Sequence, residues 1–453
     1  MVSRCAAAAL FAAALLASAA VAASEPTPAP PAASVLPFVE DDYAGALARA
    51  RTRGRPLFVE AWAPWCHTCR SMRAFVFTDP ALRPRADQFV WLSIDTEKKG
   101  SASFLEKFPV EAWPTFFVVD PKTERAAMRW VGGATVPQLQ KILDDGRRSV
   151  GSAGRGADEL LARADALYAA KKHAEAAAAY RRALAKAPRE WRSYPRAVES
   201  LLFALRRSGD RAFCASTAHA SFSRLAASPS AANVAASGLD CALGLPAGDP
   251  SRARLVEALA ADGRRVVAAP RPDLAADDVS SLYATLADER ESAGDAAGRR
   301  LVLTDWSAFL EGEAARAKTP AERTVFDSHR LGVDLELGQP DRAIAMLEQS
   351  EEDFPDDYNP PARLALAYEA AKKYDLALLA SDRALSKAYG PRLVTILTAR
   401  ARIHREAGDV ASARVALEEA VRESEALPPG QRSERQIASV KKLLDELPPG
   451  SPP

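Results

Sequence analysis

At 453 residues the chain is too long for a single compact core, and its length predicts two or more structural units. Its 60 basic and 59 acidic residues leave a net charge of +1, which excludes a strong electrostatic attraction to nucleic acid or to a membrane surface. Five cysteines are too few for a disulfide-stapled scaffold, so each thiol needs its own explanation.

The first 22 residues have the pattern of a secretory signal. Arg4 supplies the charged start, an alanine- and leucine-rich run spans 6–19, and Ala20-Val21-Ala22 is typical of a cleavage site. The pattern predicts export, with the periplasm as the expected compartment, while removal of the segment and its retention as an anchor are both open. A proline- and alanine-rich linker is predicted to follow over 23–36.

A strand that leads into two closely spaced cysteines is the centre of the first region. The apolar run from Leu57 to Trp62 predicts a buried strand, and Cys66 and Cys69 follow at the start of a helix. Cysteines three residues apart on a first helical turn can form a disulfide, and the free N–H groups there stabilise a thiolate. The pattern predicts thiol–disulfide exchange in which Cys66 attacks and Cys69 resolves. A zinc site would need two more ligands, and no second CxxC or HxxxH motif follows.

These residues resemble the thioredoxin family. Trp65-Cys66 repeats the family's Trp-Cys, Trp113-Pro114-Thr115 is similar to its cis-proline loop, and Val131-Gly132-Gly133 resembles its glycine turn. Phe77-Thr78-Asp79-Pro80 further resembles the C-terminal thioredoxin domain of DsbD-type periplasmic reductases. The resemblance covers 37–148. It implies an α/β thioredoxin fold in which Pro114 packs in cis against the disulfide, without a metal or an organic cofactor.

The resemblance also implies a role for Glu60, which lies where thioredoxins place a buried acid beneath the active site. A carboxylate on a buried strand is costly unless it has a function or a partner, and desolvation raises its pKa. One interpretation is that Glu60 accepts the proton of Cys69. The other is a salt bridge to an unidentified Lys or Arg, since the family's usual lysine would fall near Trp91.

The two residues between the cysteines leave the direction of electron flow open. His67-Thr68 is neither the common thioredoxin pair nor the common oxidase pair. His67 is either a nearby cation that tunes the thiolate of Cys66 or an exposed residue at the helix start, and proximity favours tuning. Only the resemblance to DsbD-type domains favours a reductase.

The second region is predicted to be all-helical. After a glycine- and serine-rich hinge at 149–156, residues 157–446 resemble the tetratricopeptide repeat, with small residues twelve and then seven positions apart. The clearest copies are Ala365, Ala377 and Ala384, and Ala401, Ala413 and Ala420. About seven units are expected, with a slip of frame around Gly294, a capping helix near 433–444 and a proline-rich tail at 447–453.

Two further cysteines fall on small-residue positions of this array. Cys214 and Cys241 are interpreted as small packing residues, because free cysteine is commonly buried. The alternative is a structural disulfide between helices of adjacent repeats, which an oxidising compartment would permit.

Together these features predict an α/β thioredoxin fold followed by an all-α tetratricopeptide-repeat solenoid. The leading hypothesis is an exported thiol–disulfide oxidoreductase with Cys66, Cys69, Glu60 and Pro114 at its site. Its partners would be protein thiols or disulfides and an unidentified protein bound to the array, with no nucleic acid and no membrane span once the signal is removed. The alternative is a chaperone or scaffold in which client binding by the array is the main role.

Overall fold

The computed structural model describes residues 34–151 and 156–448. The predicted signal segment, most of the linker, part of the hinge and the end of the tail lie outside the described residues. The described chain forms two regions, an α/β domain up to residue 150 and a helical array that begins at residue 157.

The α/β domain is built on a five-stranded sheet with the strand order β1-β3-β2-β4-β5. In chain order the strands are β1 (Phe38–Glu40), β2 (Leu57–Trp62), β3 (Val90–Asp95), β4 (Thr115–Asp120) and β5 (Arg125–Val131). Strands β1, β3 and β2 are parallel to one another, whereas β4 runs antiparallel to β2 and β5 antiparallel to β4. The predicted central strand is present as β2, and β1 is a strand that the sequence pattern did not reveal.

The sheet is covered on both faces, which is why its central strands are almost wholly apolar. Alternate residues of β2 point to opposite sides, so Phe58 packs in one apolar cluster with Trp91, while Val59 packs in the other with Leu92. Glu60 is the one charged residue in β2, and it is fully buried opposite Ser93 of β3. The cysteine pair follows the C-terminal end of this strand, where the chain leaves the sheet.

Four helices flank the sheet: α1 (Tyr43–Arg53), α2 (His67–Ser71), α3 (Ala102–Lys107) and α4 (Val136–Ser149). A single π-helical segment, Met72–Val76, continues α2, and a 3₁₀ segment at Pro80–Gln88 leads to β3. Ser101, the residue before α3, does not cap this helix with its side chain. The Ser101 hydroxyl donates to the Asp95 carbonyl at 2.7 Å instead, because a 3₁₀ turn over Lys99–Ser101 directs it toward the end of β3.

The array consists of helices that pack in consecutive pairs. They are α5 (Ala157–Ala169), α6 (His173–Lys186), α7 (Tyr194–Ser208), α8 (Arg211–Leu225), α9 (Ala231–Leu243), α10 (Arg252–Ala268), α11 (Ala276–Ser292), α12 (Ala296–Arg316), α13 (Pro320–Arg323), α14 (Asp327–Glu336), α15 (Pro340–Asp353), α16 (Asn359–Ala370), α17 (Tyr374–Leu385), α18 (Pro391–Glu406), α19 (Val410–Ala426) and α20 (Glu434–Asp445). Setting α13 aside, α5 to α19 form seven pairs, and α20 packs on the last of them. The expected number of units and the capping helix are confirmed.

The small residues that defined the repeat are buried where the helices of a pair meet. Ala377, Ala384, Ala413 and Ala420 are fully buried, as the spacing predicted. Close packing of this kind allows each pair to stack on its neighbours and build a continuous core.

The slip of frame near Gly294 corresponds to an extension of the array. Helix α12 runs for 21 residues, and the short α13 and a 3₁₀ turn at Thr324–Phe326 are inserted before α14. This extra segment contacts the α/β domain at the cysteine pair. Among residues 34–151 and 156–448, no helix combines the length and the apolar character needed to cross a membrane.

Candidate active site

Cys66 and Cys69 are held by the turn between β2 and α2. Cys66 is the N-cap of α2, and its Sγ accepts the backbone N–H of Cys69 at 3.1 Å. The two Cα atoms are 5.2 Å apart and the sulfurs are bonded. The CxxC pair therefore forms the disulfide that its spacing predicted, with the first sulfur at a backbone donor that would also stabilise its thiolate.

Aromatic side chains surround the disulfide. Trp65 and Trp113 approach edge to face with ring centroids 5.1 Å apart, and both pack on the cluster that contains Cys66 and Cys69. The Trp113–Pro114 peptide bond is cis, as the resemblance implied. These groups leave Cys66 only 5 % exposed and Cys69 fully buried.

The glycine turn closes the other side of the site. A Cβ atom built on Gly133 would lie 2.7 Å from Cγ2 of Thr68, inside the CxxC loop. The backbone N–H of the next residue, Ala134, donates to the Met72 sulfur at 3.2 Å. A glycine is therefore required here so that the turn can pack directly on α2.

Glu60 has the cationic partner that the sequence analysis did not identify. Its Oε2 lies 3.3 Å from a terminal nitrogen of Arg73 and accepts a hydrogen bond from the Ser93 hydroxyl at 3.3 Å. Burial raises the pKa of Glu60 to about 7, and the nearby Arg73 guanidinium limits this rise. The salt-bridge interpretation is confirmed, while the acid keeps a pKa suited to proton transfer near neutral pH.

Arg73 belongs to a helical segment and not to a strand, so comparing the strand positions with those of thioredoxins could not identify it. Trp91, at the position of the family's lysine, pairs with Phe58 two residues before Glu60 and packs in the apolar cluster on that face of the sheet. Arg73 comes instead from the π-helical segment after α2 and lies over the Trp62 ring, 3.6 Å from its centroid. The signal available in the sequence was an arginine four residues after Cys69.

The helical array covers the cysteine-bearing face of the α/β domain. Asn359 donates to the carbonyl of Pro64 at 3.2 Å, and Asp357 forms an ion pair with Arg70 of α2 at 2.6 Å. Farther along the array, Gln431 donates to the carbonyl of Thr96 at 2.7 Å. Sequence reasoning missed these three contacts, because each joins residues about 290 positions or more apart.

The interface extends to the other end of the array. Arg129 of β5 lies over the Tyr168 ring of α5, 4.0 Å from its centroid, and Arg196 of α7 makes an ion pair with Asp145 of α4. The first helices of several pairs thus face the α/β domain. Part of the array surface that was expected to bind a protein partner is therefore covered by the α/β domain of the same chain.

His67 is buried in this interface and is not an exposed helix-start residue. Its ring stacks on His329 with centroids 3.9 Å apart, its Nδ1 contacts the carbonyl of Val325, and its Nε2 forms an ion pair with Asp277. All three contacts come from the array. The interpretation that His67 tunes Cys66 therefore involves the second region as well as the first.

Cys214 and Cys241 are bonded to each other, so the interpretation as free packing residues is wrong. They lie on α8 and α9, both fully buried, with Cα atoms 6.0 Å apart. The positions that require small residues are those where neighbouring helices come closest, and that proximity is what a disulfide needs. Among the described residues, no group of three or more His, Cys, Asp and Glu side chains could hold a metal ion.

A family model described as thioredoxin-like matches residues 39–121. These residues include β1 to β4, the CxxC turn and the cis-proline. Residues 39–121 belong to a thioredoxin-like domain. The α/β domain is thus a thioredoxin-like domain, and the predicted fold class, a thioredoxin fold followed by a tetratricopeptide-like helical solenoid, is confirmed.

Curated relatives match the same part of the chain. The thiol:disulfide interchange protein DsbD of Ralstonia nicotianae is 28 % identical over 110 residues, which is 24 % of this chain and 18 % of the relative. DsbD of Pseudoalteromonas atlantica is 28 % identical over 82 residues, 18 % of this chain and 14 % of the relative. The chain therefore spans less than a fifth of the length of these relatives.

Solved structures align with the chain's larger part at low similarity. A tetratricopeptide repeat protein from Parabacteroides merdae aligns with a TM-score of 0.41 and 11 % identity, covering 64 % of this chain and 99 % of that one. The TPR2AB domain of yeast Sti1 aligns with a TM-score of 0.24 and 15 % identity, covering 64 % and 98 %. The assignment of the array rests on its own helix pairs and their buried small residues.

Proposed function

We propose that the protein is an exported thiol–disulfide oxidoreductase, most simply a reductase of protein disulfides. The observation that carries the proposal is the placement of Cys66 Sγ, the N-cap of α2, on the N–H of Cys69 beside the cis Trp113–Pro114 bond. The likeness of residues 39–121 to thioredoxin-like domains and to DsbD supports the same chemistry.

The exchange uses the two sulfurs in sequence. With the pair reduced, the Cys66 thiolate attacks a substrate disulfide, one substrate thiol leaves, and a mixed disulfide forms. Cys69 then attacks Cys66, which restores the intramolecular disulfide and releases the second substrate thiol. Glu60, with a pKa of about 7, accepts the proton of Cys69 during this second step.

A cavity next to the site offers a place for the substrate. It has a volume of about 500 Å³ and is lined by Trp65 and Trp113 from the thioredoxin-like domain and by Lys171, Arg392 and Gln431 from the array. An extended substrate segment that pairs with the backbone beside the cis-proline would enter it. The array then selects the partner by forming one wall of the substrate site.

Trapping of mixed disulfides tests this function. Cys69→Ala in the full chain should accumulate covalent complexes on Cys66 when mixed with oxidised protein extracts, whereas Cys66→Ala should accumulate few or none. Non-reducing gels followed by mass spectrometry would identify both the complexes and the cysteine involved. Absence of complexes with Cys69→Ala, in protein whose Cys66 reacts with a small alkylating reagent, would contradict the proposal.

One observation favours a second candidate function. Cys66 is only 5 % exposed and the array covers its face, so the disulfide could act as a closed structural element in a client-binding protein. In that case Cys69→Ala would trap nothing, and the full chain would suppress aggregation of unfolded proteins equally well when both Cys66 and Cys69 are replaced by alanine.

A further inference from the structure

The helical array holds the ring of His67 at both of its nitrogen atoms. Nδ1 contacts the carbonyl oxygen of Val325, and Nε2 contacts a carboxylate oxygen of Asp277. The side chains of His67 and Asp277 are only 7 % and 6 % exposed. A residue inside the CxxC motif is thus fixed by two groups that lie more than 200 positions away.

These two contacts place an oxygen atom at each nitrogen of the ring. A carbonyl oxygen can only accept, so Nδ1 must carry a hydrogen, and a neutral imidazole would then present the lone pair of Nε2 to a carboxylate. The imidazolium, with a hydrogen on each nitrogen, is the form that places a positive charge against the carboxylate. Burial by itself raises the pKa of Asp277, but the facing His67, the Ser71 hydroxyl and then His329 bring it below its usual value, consistent with an ionised carboxylate.

The second histidine of this cluster is neutral. Burial, and then the charge of His67, lower the pKa of His329 to about 3. Its Nδ1 lies 2.6 Å from the Ser280 hydroxyl, which accepts the indole N–H of Trp306 at 2.7 Å and so keeps its own hydrogen for His329. Of the two stacked rings, the one in contact with a carboxylate is that of His67.

The other charged groups nearby do not replace Asp277. Arg70, on the same helix as His67, is paired with Asp357, and Arg363 of α16 is a further cation that disfavours protonation of His329. Burial raises the pKa of Asp278, the residue after Asp277, well above its usual value. Asp277 is the acid in direct contact with the ring.

We propose that Asp277 and the Val325 carbonyl hold His67 in its charged form next to Cys66, so that the helical array sets the reduction potential of the Cys66–Cys69 pair. The proposal rests on the pair being redox-active, as proposed above. Asp277 acts as a positioning residue, because it touches His67 and not the sulfur atoms.

The redox step can be written with glutathione as the reductant. Two glutathione thiols supply two electrons, the Cys66–Cys69 bond breaks, and one glutathione disulfide forms. Cys69 keeps one of the two protons as a thiol, and the other is released to solvent when Cys66 remains a thiolate. A fixed imidazolium stabilises that thiolate and shifts the equilibrium toward the reduced pair.

The test is the redox equilibrium of the full chain in glutathione buffers between pH 5 and 9, read by alkylation of free thiols and mass spectrometry. Asp277→Asn keeps an oxygen that can accept from Nε2 but removes the charge. Without that fixed anion, burial disfavours the charged ring. The variant should therefore favour the reduced form about tenfold less than the unmodified protein at pH 8, a change of about 30 mV for a two-electron couple, and this difference should shrink as the pH falls.

Two controls isolate the effect of the ring. The double variant His67→Gln/Asp277→Asn should behave like His67→Gln alone, because Asp277 acts through His67. Asp357→Asn weakens another ion pair between α2 and the array, without touching His67, and should keep the unmodified pH profile. If Asp277→Asn fails to fold, His67→Gln alone must still show the loss at pH 8, and it should show the loss at pH 5 as well, because glutamine carries no charge at either pH.

An unchanged pH profile in Asp277→Asn, or an equal Asp277→Asn effect with His67 already replaced, would overturn the proposal. A pair that no dithiothreitol concentration reduces in the folded protein would overturn both this proposal and the proposed function. If Asp277→Asn shows the expected shift in reduction potential but the protein exchanges with no protein disulfide, only the proposed function is overturned.

Discussion

The two disulfides formed by the described residues lie in surroundings that differ in almost every respect. Cys66 and Cys69 are three residues apart at a helix start, with Glu60 buried on the strand before them and His67 between them. Cys214 and Cys241 are 27 residues apart on two packed helices. Their neighbours are the small and apolar side chains of the array's largest core cluster.

The difference shows what makes a cysteine pair reactive. Exchange requires a thiolate that nearby donors and cations stabilise and a path for the attacking sulfur, and the first pair has these donors and a neighbouring cavity. A thiol among apolar side chains is poorly ionised and inaccessible, so the second pair is suited to holding α8 against α9. The same bond is expected to serve catalysis in one region and stability in the other.

The largest expected effect concerns the roles of the two pairs in exchange. Cys66→Ser should lower the rate of disulfide reduction by roughly 10³-fold or more, because the attacking group is lost. Cys214→Ser/Cys241→Ser should leave the rate within about twofold, since that pair lies in a separate core cluster. Turnover of a chromogenic disulfide by the reduced full chain measures the rate in both variants. Comparable losses of rate would show that the two cysteine pairs do not differ in their role in exchange.

The stability of the array tests the structural role of the Cys214–Cys241 disulfide. Cys214→Ala/Cys241→Ala should lower the free energy of unfolding by about 3.5 kcal/mol, the loop-closure value for 27 residues. Chemical denaturation followed by circular dichroism measures the change. The matched variant Cys66→Ala/Cys69→Ala removes a disulfide that closes a loop of only three residues, so its free energy of unfolding should fall much less. Equal losses of stability in the two variants would contradict a structural role specific to Cys214–Cys241.

Glu60→Gln should slow the resolving step by about tenfold at pH 8 and little at pH 5, because the carboxylate exists above its pKa of about 7 and is protonated below it. Stopped-flow decay of the mixed disulfide between pH 5 and 9 measures the step. In the unmodified protein the rate should rise through pH 7, and this rise should disappear in the variant.

Glu199→Gln is the matched control for that experiment. Burial raises the pKa of Glu199 to about 7 as well, but this acid lies on α7 and accepts from Asn233 of α9. A pH–rate profile unchanged in Glu60→Gln, or altered equally in Glu199→Gln, would indicate that Glu60 serves only the ion pair with Arg73.

The smallest expected effect concerns how strongly the helical array limits access to Cys66. A Cβ atom on Gly390 would lie 2.0 Å from the carbonyl oxygen of Glu97, so Gly390→Ala should separate the array from the thioredoxin-like domain at this point. Alkylation of reduced Cys66 by a bulky maleimide should become about threefold to tenfold faster, since local opening of the interface exposes the thiol.

Gly408→Ala controls for backbone strain in that measurement. Gly390 and Gly408 both have a positive φ, 59° and 86°, but a Cβ on Gly408 would meet no atom within 4 Å. Equal alkylation rates in the two variants would show that the array does not limit access to Cys66.

The sequence was sufficient for local features and insufficient for contacts between the regions. Periodicity and turn residues predicted the central strand, the CxxC helix and the helix pairs, because these depend on neighbours within one or two turns. Arg73 was missed because a π-helical segment, which no spacing rule anticipates, places it beside Glu60. His67 was understood only in part, because its partners Asp277 and Val325 become neighbours through the stacking of the whole array.

The contacts at both ends of the array have a consequence for how the molecule folds. A solenoid normally gains stability from one neighbour to the next, so its ends can open without affecting the middle. Here Arg196 near the beginning and Gln431 near the end both bind the thioredoxin-like domain, which emerges from the ribosome first. That domain can act as a template on which each later pair is placed as it is synthesised. Loss of the template should therefore uncouple the two ends and turn one cooperative unfolding transition into several.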